Sequence, residues 1–232
     1  TLKPEAVIVV AYGKILPKKI LGLKNIEFLN VHASLLPKWR GAAPIQRAIM
    51  NLDKTSGISI MKIVSKLDAG PTLIKSEIPI TSETNYETLS NQMSKLGAIK
   101  ILEAINLIEN KKANFIDQDE TEATYAKKIE KIEGKINWEH SAIKIIGKIN
   151  GLSPTPGAFF NFKGERYKVL KAEIGNNSGK PGEVLSDKLE IACKNNESIK
   201  ILEIQRQGKK TQKVSEFMLG SQIKKGSIIS NA

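Results

Sequence analysis

The chain has 232 residues, enough for two modest domains, and 41% hydrophobic with 26% charged residues is the balance of a folded globular protein rather than a disordered one. Its longest uncharged apolar run, Ala6 to Gly13, is too short for a bilayer-spanning helix, and its single cysteine, Cys193, excludes an internal disulfide framework or a cysteine metal cluster. The expected compartment is the cytoplasm. A net charge of +12 is spread over both halves, 14 basic against 9 acidic residues up to residue 110 and 22 against 15 beyond it. Such a balance favours a polyanionic partner through counterion release, and it equally describes a lysine-rich, solvated surface.

Val7-Ile8-Val9-Val10 follows almost at once on Thr1-Leu2-Lys3-Pro4. A strand apolar on both faces belongs inside a helix-covered sheet, so a βα portion is expected to precede this sequence. A short helix is predicted at Pro17 to Leu21 and a second strand at Ile26 to Ser34, together a parallel βαβ unit. A Pro/Gly-rich loop, Leu35 to Pro44, leads to a helix over Ile45 to Asn51, with Pro44 suited to its first position. Gly57 to Val64 and Leu73 to Ile80 alternate as strands around a turn at Lys66 to Pro71, and residues 84–110 carry apolar side chains at helical spacing.

Composition then shifts. Asp117 to Glu122 is acidic and Ala126 to Lys135 is nearly all Lys, Glu and Ile, which predicts a linker. Ser141 to Asn150 reads as a helix capped by Gly151, and five short strands follow: 158–162, 166–174, 182–186, 188–194 and 198–205. Their spacing predicts a small open barrel of the oligonucleotide-binding (OB-like) kind. The expected architecture is therefore α/β: a Rossmann-like domain at 1–110, a linker at 111–131 and an OB-like domain at 132–232.

Asn30 and His32 stand two apart on the second strand, so both side chains point to one face, at the end where parallel sheets place ligands. An amide beside an imidazole suits the stabilisation of an oxygen that gains negative charge when an amine attacks a carbonyl. Asp68, in the turn after another strand, is positioned to orient His32 or to accept the amine's proton. The same residues also fit a plainer reading, polar groups satisfied at a strand end and an aspartate that forms a turn before Gly70-Pro71. Ser34 has no convincing triad, and His140, beside Glu139, is expected at the surface.

The run Asn30-Val31-His32-Ala33-Ser34-Leu35-Leu36-Pro37, continued by Lys38-Trp39-Arg40-Gly41-Ala42-Ala43-Pro44-Ile45, resembles the signature of folate-dependent formyltransferases. The form WRGAAPIQRAI resembles the branch that formylates methionyl-tRNA. Asp68-Ala69-Gly70-Pro71 is similar to the family's second signature, Ala11 to Pro17 to the border of its folate pocket, and Gln118 to Thr121 with Thr124 to Ala126 to its linker. Gly208-Lys209-Lys210 is similar to a basic turn of its carboxyl-terminal barrel.

The resemblance implies a Rossmann-like formyltransferase domain, incomplete at its amino end, followed by the OB-like domain. It implies that Asn30 and His32 hold the charged oxygen, while Asp68 positions His32 and helps remove the amine's proton. Ser34, Leu35, Leu36 and Pro37 would line a pocket for 10-formyltetrahydrofolate, the formyl-donating cosubstrate, with Tyr12, Gly13, Ile15 and Leu16 beside it. The acceptor would be initiator methionyl-tRNA, with Lys209, Lys210 and Lys213 on its phosphates and Arg40 at the site rim. Arg40 and Trp39 also suit simple packing of the loop. No metal and no membrane contact are implied, and the expected state is a monomer. An amino sugar nucleotide or glycinamide ribonucleotide as acceptor, water as acceptor in a hydrolase, and a noncatalytic RNA-binding fragment are the alternatives.

Overall fold

The structure, a computed structural model, describes residues 4–14 and 16–231. It divides into two compact units. The first holds the described residues up to Lys128 except Ile49–Leu52 and Glu83–Glu87, which belong with Ile129 onward to the second.

In the first unit, β1 (Ala6–Val10), α1 (Lys18–Leu21) and β2 (Glu27–His32) form the expected parallel pair joined through a helix. A two-residue strand β3 (Arg40–Gly41) precedes α2 (Pro44–Met50), whose first residue is the proline, where a missing N–H costs nothing. The hairpin β4 (Thr55–Lys62) and β5 (Thr72–Pro79) completes a sheet of order β1-β2-β4-β5. Only β1 and β2 run parallel; β4 is antiparallel to both its neighbours. Burial is continuous from Ser56 to Met61, so β4 is covered on both faces and the period-two pattern read from its sequence does not mark an exposed side. At Gly57 a Cβ would sit 2.0 Å from the Ser76 carbonyl oxygen, which ties the close strand approach to glycine. β1 lies at the edge of the described sheet, with Ile8 and Val10 exposed.

The long helix α3 (Tyr86–Glu109) buries Leu89, Met93, Gly97 and Ala104 on one stripe. A Cβ at Gly97 would lie 2.9 Å from Val31 Cγ1, so the helix covers the Val31 face of β2. Alternation along the strand leaves Asn30 and His32 on the opposite face. The acidic segment that follows does not run free. β6 (Tyr125–Ala126) pairs in parallel with β3, a contact too short to leave a period in the sequence.

In the second unit, α4 (Ala142–Leu152) packs on β7 (Ala158–Phe162), β8 (Glu165–Ile174) and β10 (Ser198–Arg206) of a sheet that also holds β9 (Glu190–Ala192) and β11 (Thr211–Lys213), and α5 (Val214–Phe217) follows. Gly151 is a buried residue inside α4, not its cap; the helix stops beyond Leu152, whose carbonyl accepts from Gly157 N–H at 2.9 Å. The strand expected at 182–186 is absent as a ladder and makes only isolated bridges, Glu183 to Ile228 and Val184 to Ile191. β11 and α5 carry no apolar alternation and were not expected. The antiparallel path is β11-β10-β8-β7, with β9 also on β10, and hydrogen bonding among the described residues does not close it into a ring. Trp138, Phe160, Tyr167 and Phe217 form an aromatic chain in its core, with ring centroids 5.5–6.0 Å apart. Each such pair adds about 0.5–1.5 kcal/mol beyond burial. His140 is half-buried rather than fully at the surface. No helix among the described residues is long and apolar enough to cross a membrane.

Candidate active site

His32 is 5% exposed and both its ring nitrogens have partners. Nε2 lies 3.0 Å from the Trp39 carbonyl oxygen, which can only accept, so Nε2 carries a hydrogen and donates it. Nδ1 faces Asp68 Oδ2 at 3.7 Å, beyond ordinary hydrogen-bond length. Asn30, half-buried on the same face, has no side-chain hydrogen bond among the described residues. Its two N–H donors and its oxygen are therefore available to a bound molecule.

Asp68 reaches His32 from the β4–β5 connector. Its φ is 45°, a left-handed conformation that aspartate tolerates better than most residues. Its Oδ2 also accepts the Gly41 N–H at 2.8 Å, which joins the connector to the loop after β2. At Gly70 a Cβ would come within 1.9 Å of the Lys62 carbonyl oxygen, so the turn that carries Asp68 closes only on glycine.

The loop from Ser34 to Gly41 is pinned from inside. Ser34 Oγ donates to the Lys38 carbonyl at 2.6 Å, Ser59 Oγ donates to the Ser34 carbonyl at 2.7 Å, and Leu36 N–H donates to Ser59 Oγ at 3.0 Å. The Ser34 hydroxyl proton is thus committed to the backbone. Ser34 and Leu36 are 0% and 1% exposed and hold the loop's shape; of the four loop residues expected at a folate pocket, Leu35 and Pro37 keep surface. Trp39 has φ 61°, with its N–H on Thr124 Oγ1 at 2.8 Å and its indole N–H on Asp53 Oδ2 at 2.7 Å. Tyr12 stands 56% exposed, Gly13 is exposed and Leu16 half-buried; Ile15 lies outside the described residues.

Arg40 departs from its expected role at the RNA. It is 0% exposed, and its guanidinium bonds Gln118 Oε1 at 2.8 and 3.0 Å and the Glu120 carboxylate at 3.0 and 3.2 Å. No face of it remains for phosphate. Burial pulls its pKa down, but the bond to Glu120 and the neighbouring Tyr125 outweigh this and raise it. The bonds from Arg40 and Lys66 hold the Glu120 carboxyl down at about 2. Gln118 turns its amide N–H groups to the carbonyls of Asp68 and Gly70, at 2.9 and 2.7 Å. Gln118, Glu120, Thr124, Ser59 and Asp53 were not read from the sequence as parts of the site. The signal that pointed to the first two was Arg40 itself, a charge in an apolar loop that needs partners when it is buried.

Lys209, Lys210 and Lys213 are exposed at and beside β11 in the second unit. The Lys209 N–H and carbonyl are engaged within that turn, by Arg206 and Gln205, which leaves the ammonium groups to solvent.

The amino-terminal family profile "Formyl transferase" matches residues 1–105, and "Formyl transferase, C-terminal domain" matches residues 128–222. A methionyl-tRNA formyltransferase of Pelagibacter ubique is 61% identical over 98% of this chain and 73% of its own length. The chain belongs to the methionyl-tRNA formyltransferase family. A second member, from Thermodesulfovibrio yellowstonii, is 44% identical over 97% of this chain and 73% of its own length. Two solved structures share the fold. HypX from Aquifex aeolicus, in complex with tetrahydrofolic acid, aligns with a TM-score of 0.72 at 19% identity, over 97% of this chain and 40% of that one. The sugar 3N-formyltransferase WlaRD, solved with dTDP and 5-N-formyl-THF, aligns at 0.71 and 18% identity, over 89% of this chain and 76% of that one. In this formyltransferase the two family profiles follow the two halves of the chain, and Asn30, His32 and Asp68 all fall within the first.

Proposed function

We propose that this formyltransferase moves a formyl group from 10-formyltetrahydrofolate to the α-amino group of methionyl initiator tRNA. The observation that carries the reading is the Asn30 amide, unpartnered among the described residues, on the same strand face as the His32–Asp68 pair. That donor set fits a formyl oxygen: as it gains charge the oxygen needs N–H donors, and the Asn30 amide and the His32 Nε2–H, shared with the Trp39 carbonyl, supply them, each contributing about 10²–10³ in rate. The printed names of the curated relatives, methionyl-tRNA formyltransferases, support the acceptor.

The cosubstrate supplies an electrophilic formyl carbon on N10. Asn30 donates to the formyl oxygen, and His32 donates to it through the Nε2–H it shares with the Trp39 carbonyl, while the amine nitrogen bonds to the carbon. Asp68 holds His32 and takes up the proton that the amine must lose. As the carbon–N10 bond breaks, N10 takes up that proton and Asp68 returns to its carboxylate form. Leu35 and Pro37, with Tyr12 to Leu16, flank the folate, and Ser34 and Leu36 set the loop that carries the pocket. No step needs a metal. Residues 1–110 serve as the catalytic domain, 111–131 as the connecting segment and 132–232 as an OB-like tRNA-binding domain whose Lys209, Lys210 and Lys213 meet phosphate. The enzyme acts in the cytoplasm as a monomer.

Competition between acceptors tests this. Labelled formyl donor is offered together with initiator methionyl-tRNA, elongator methionyl-tRNA, an amino sugar nucleotide and glycinamide ribonucleotide. The label is expected on the initiator tRNA. Label on the amino sugar or the ribonucleotide, or released only as formate, overturns the reading.

A further inference from the structure

We infer that Gln118 is a positioning residue that sets the reach of Asp68 toward His32. The inference rests on the proposed role of Asp68. Gln118 lies 50 residues from Asp68 in sequence, in the acidic segment that reads as a linker, yet its amide is fully used. Its nitrogen donates to the Asp68 carbonyl at 2.9 Å and the Gly70 carbonyl at 2.7 Å, bracketing the catalytic turn on both sides of Ala69. Its oxygen accepts from Arg40 Nε and an Arg40 terminal nitrogen. One side chain therefore ties the backbone of Asp68 to Arg40, the residue that directly precedes Gly41, whose N–H holds the Asp68 carboxylate.

The turn needs such a tie. Asp68 sits at φ 45° in a connector where the backbone bond next to it, Ala69 N–H to Lys66 O, is long at 3.4 Å. The two amide bonds from Gln118 meet carbonyls that secondary structure leaves unused. The approach of Oδ2 to Nδ1, 3.7 Å in this structure, is sensitive to shifts of a few tenths of an ångström in the turn, so loss of the tie acts on catalysis through Asp68.

A double-mutant cycle on the intact protein reads this. Gln118→Ala is expected to lower kcat about 10–100-fold, the range typical of lost supporting bonds behind a reactive group, with KM for both substrates within about twofold. In an Asp68→Asn background, followed by single turnover of labelled donor, the same change is expected to cost less than about twofold, because its effect is already spent. Gln118→Glu separates the two halves of the contact. It keeps an acceptor for Arg40 and loses both donors to the turn, so it is expected to lose as much kcat as Gln118→Ala. Full activity of Gln118→Glu, or equal losses in the wild-type and Asp68→Asn backgrounds, overturns the inference and leaves Gln118 as a partner of Arg40 alone. If Gln118→Ala does not fold, Gln118→Glu decides the matter by itself. Normal turnover of Asp68→Asn would instead remove the role of Asp68 on which the inference stands.

Discussion

His32 Nε2 donates to the Trp39 carbonyl oxygen at 3.0 Å, across seven residues of chain. That bond fixes which ring nitrogen bears hydrogen and turns the other, Nδ1, toward Asp68. The carbonyl is in place only because Trp39 is held in a left-handed conformation by three anchors: its N–H on Thr124, its carbonyl on His32 and its indole on Asp53.

Trp39→Phe keeps the backbone carbonyl and removes the indole anchor. A hydrogen bond to a charged acceptor contributes about 1.5–3 kcal/mol, so urea unfolding should show a loss in that range. Looser placement of the carbonyl should also lower kcat about tenfold or more. Unchanged kinetics would mean that His32 does not depend on this loop.

Asn30→Ala tests the opposite case, a residue whose side chain has no hydrogen-bond partner among the described residues. Its side chain holds nothing up among the described residues, so the unfolding midpoint should stay within about 0.5 kcal/mol of wild type. Formyl transfer should fall about 10²–10³-fold in kcat with little change in KM. A large loss of stability with proportionate loss of activity would make Asn30 a structural residue.

How much of this was legible beforehand differs by residue. Asn30 and His32 could be placed on one face because a strand's alternation is rigid and β2 is six residues long. The helix stripe of α3 was legible for the same reason of period. Arg40 was misread because burial of a charge depends on partners 78 and 80 residues away, which leave no local pattern. β3, β6 and β11, of two, two and three residues, are too short for a period to emerge, and their pairing is decided by tertiary contact. Gly151 looked like a helix cap, yet Leu152 continues the helix because its buried side chain completes the apolar face.

The pH dependence of stability should carry the mark of Glu120. Its carboxyl is held at about 2, below the ordinary 4.5, by its bonds to Arg40 and Lys66. The unfolded chain therefore binds a proton there more readily, and the stabilisation is complete above about pH 4.5 and is lost as pH falls through about 2. Glu120→Gln should lower stability at neutral pH and flatten the fall between those limits. Asp119, Glu165 and Glu190, also held low, supply the slope that remains. An unaltered pH profile by urea midpoint would mean that Glu120 does not hold Arg40 in solution.

Lys209→Ala with Lys210→Ala should weaken initiator tRNA binding and reduce the slope of log affinity against log salt by about 1–2. The backbone bonds of that turn do not involve the ammonium groups, so the fold should persist. An unchanged slope in a filter-binding titration would move the RNA to another surface.

Asp68 acts through His32 at the reacting carbon. Asp68→Asn preserves size and an oxygen for the Gly41 N–H while removing the charge 3.7 Å from Nδ1. The measurement is the single-turnover rate of labelled formyl transfer to initiator methionyl-tRNA, with tRNA affinity recorded alongside. The rate is predicted to fall about 10²–10⁴-fold with tRNA binding unchanged; a rate within about twofold of wild type would contradict the account.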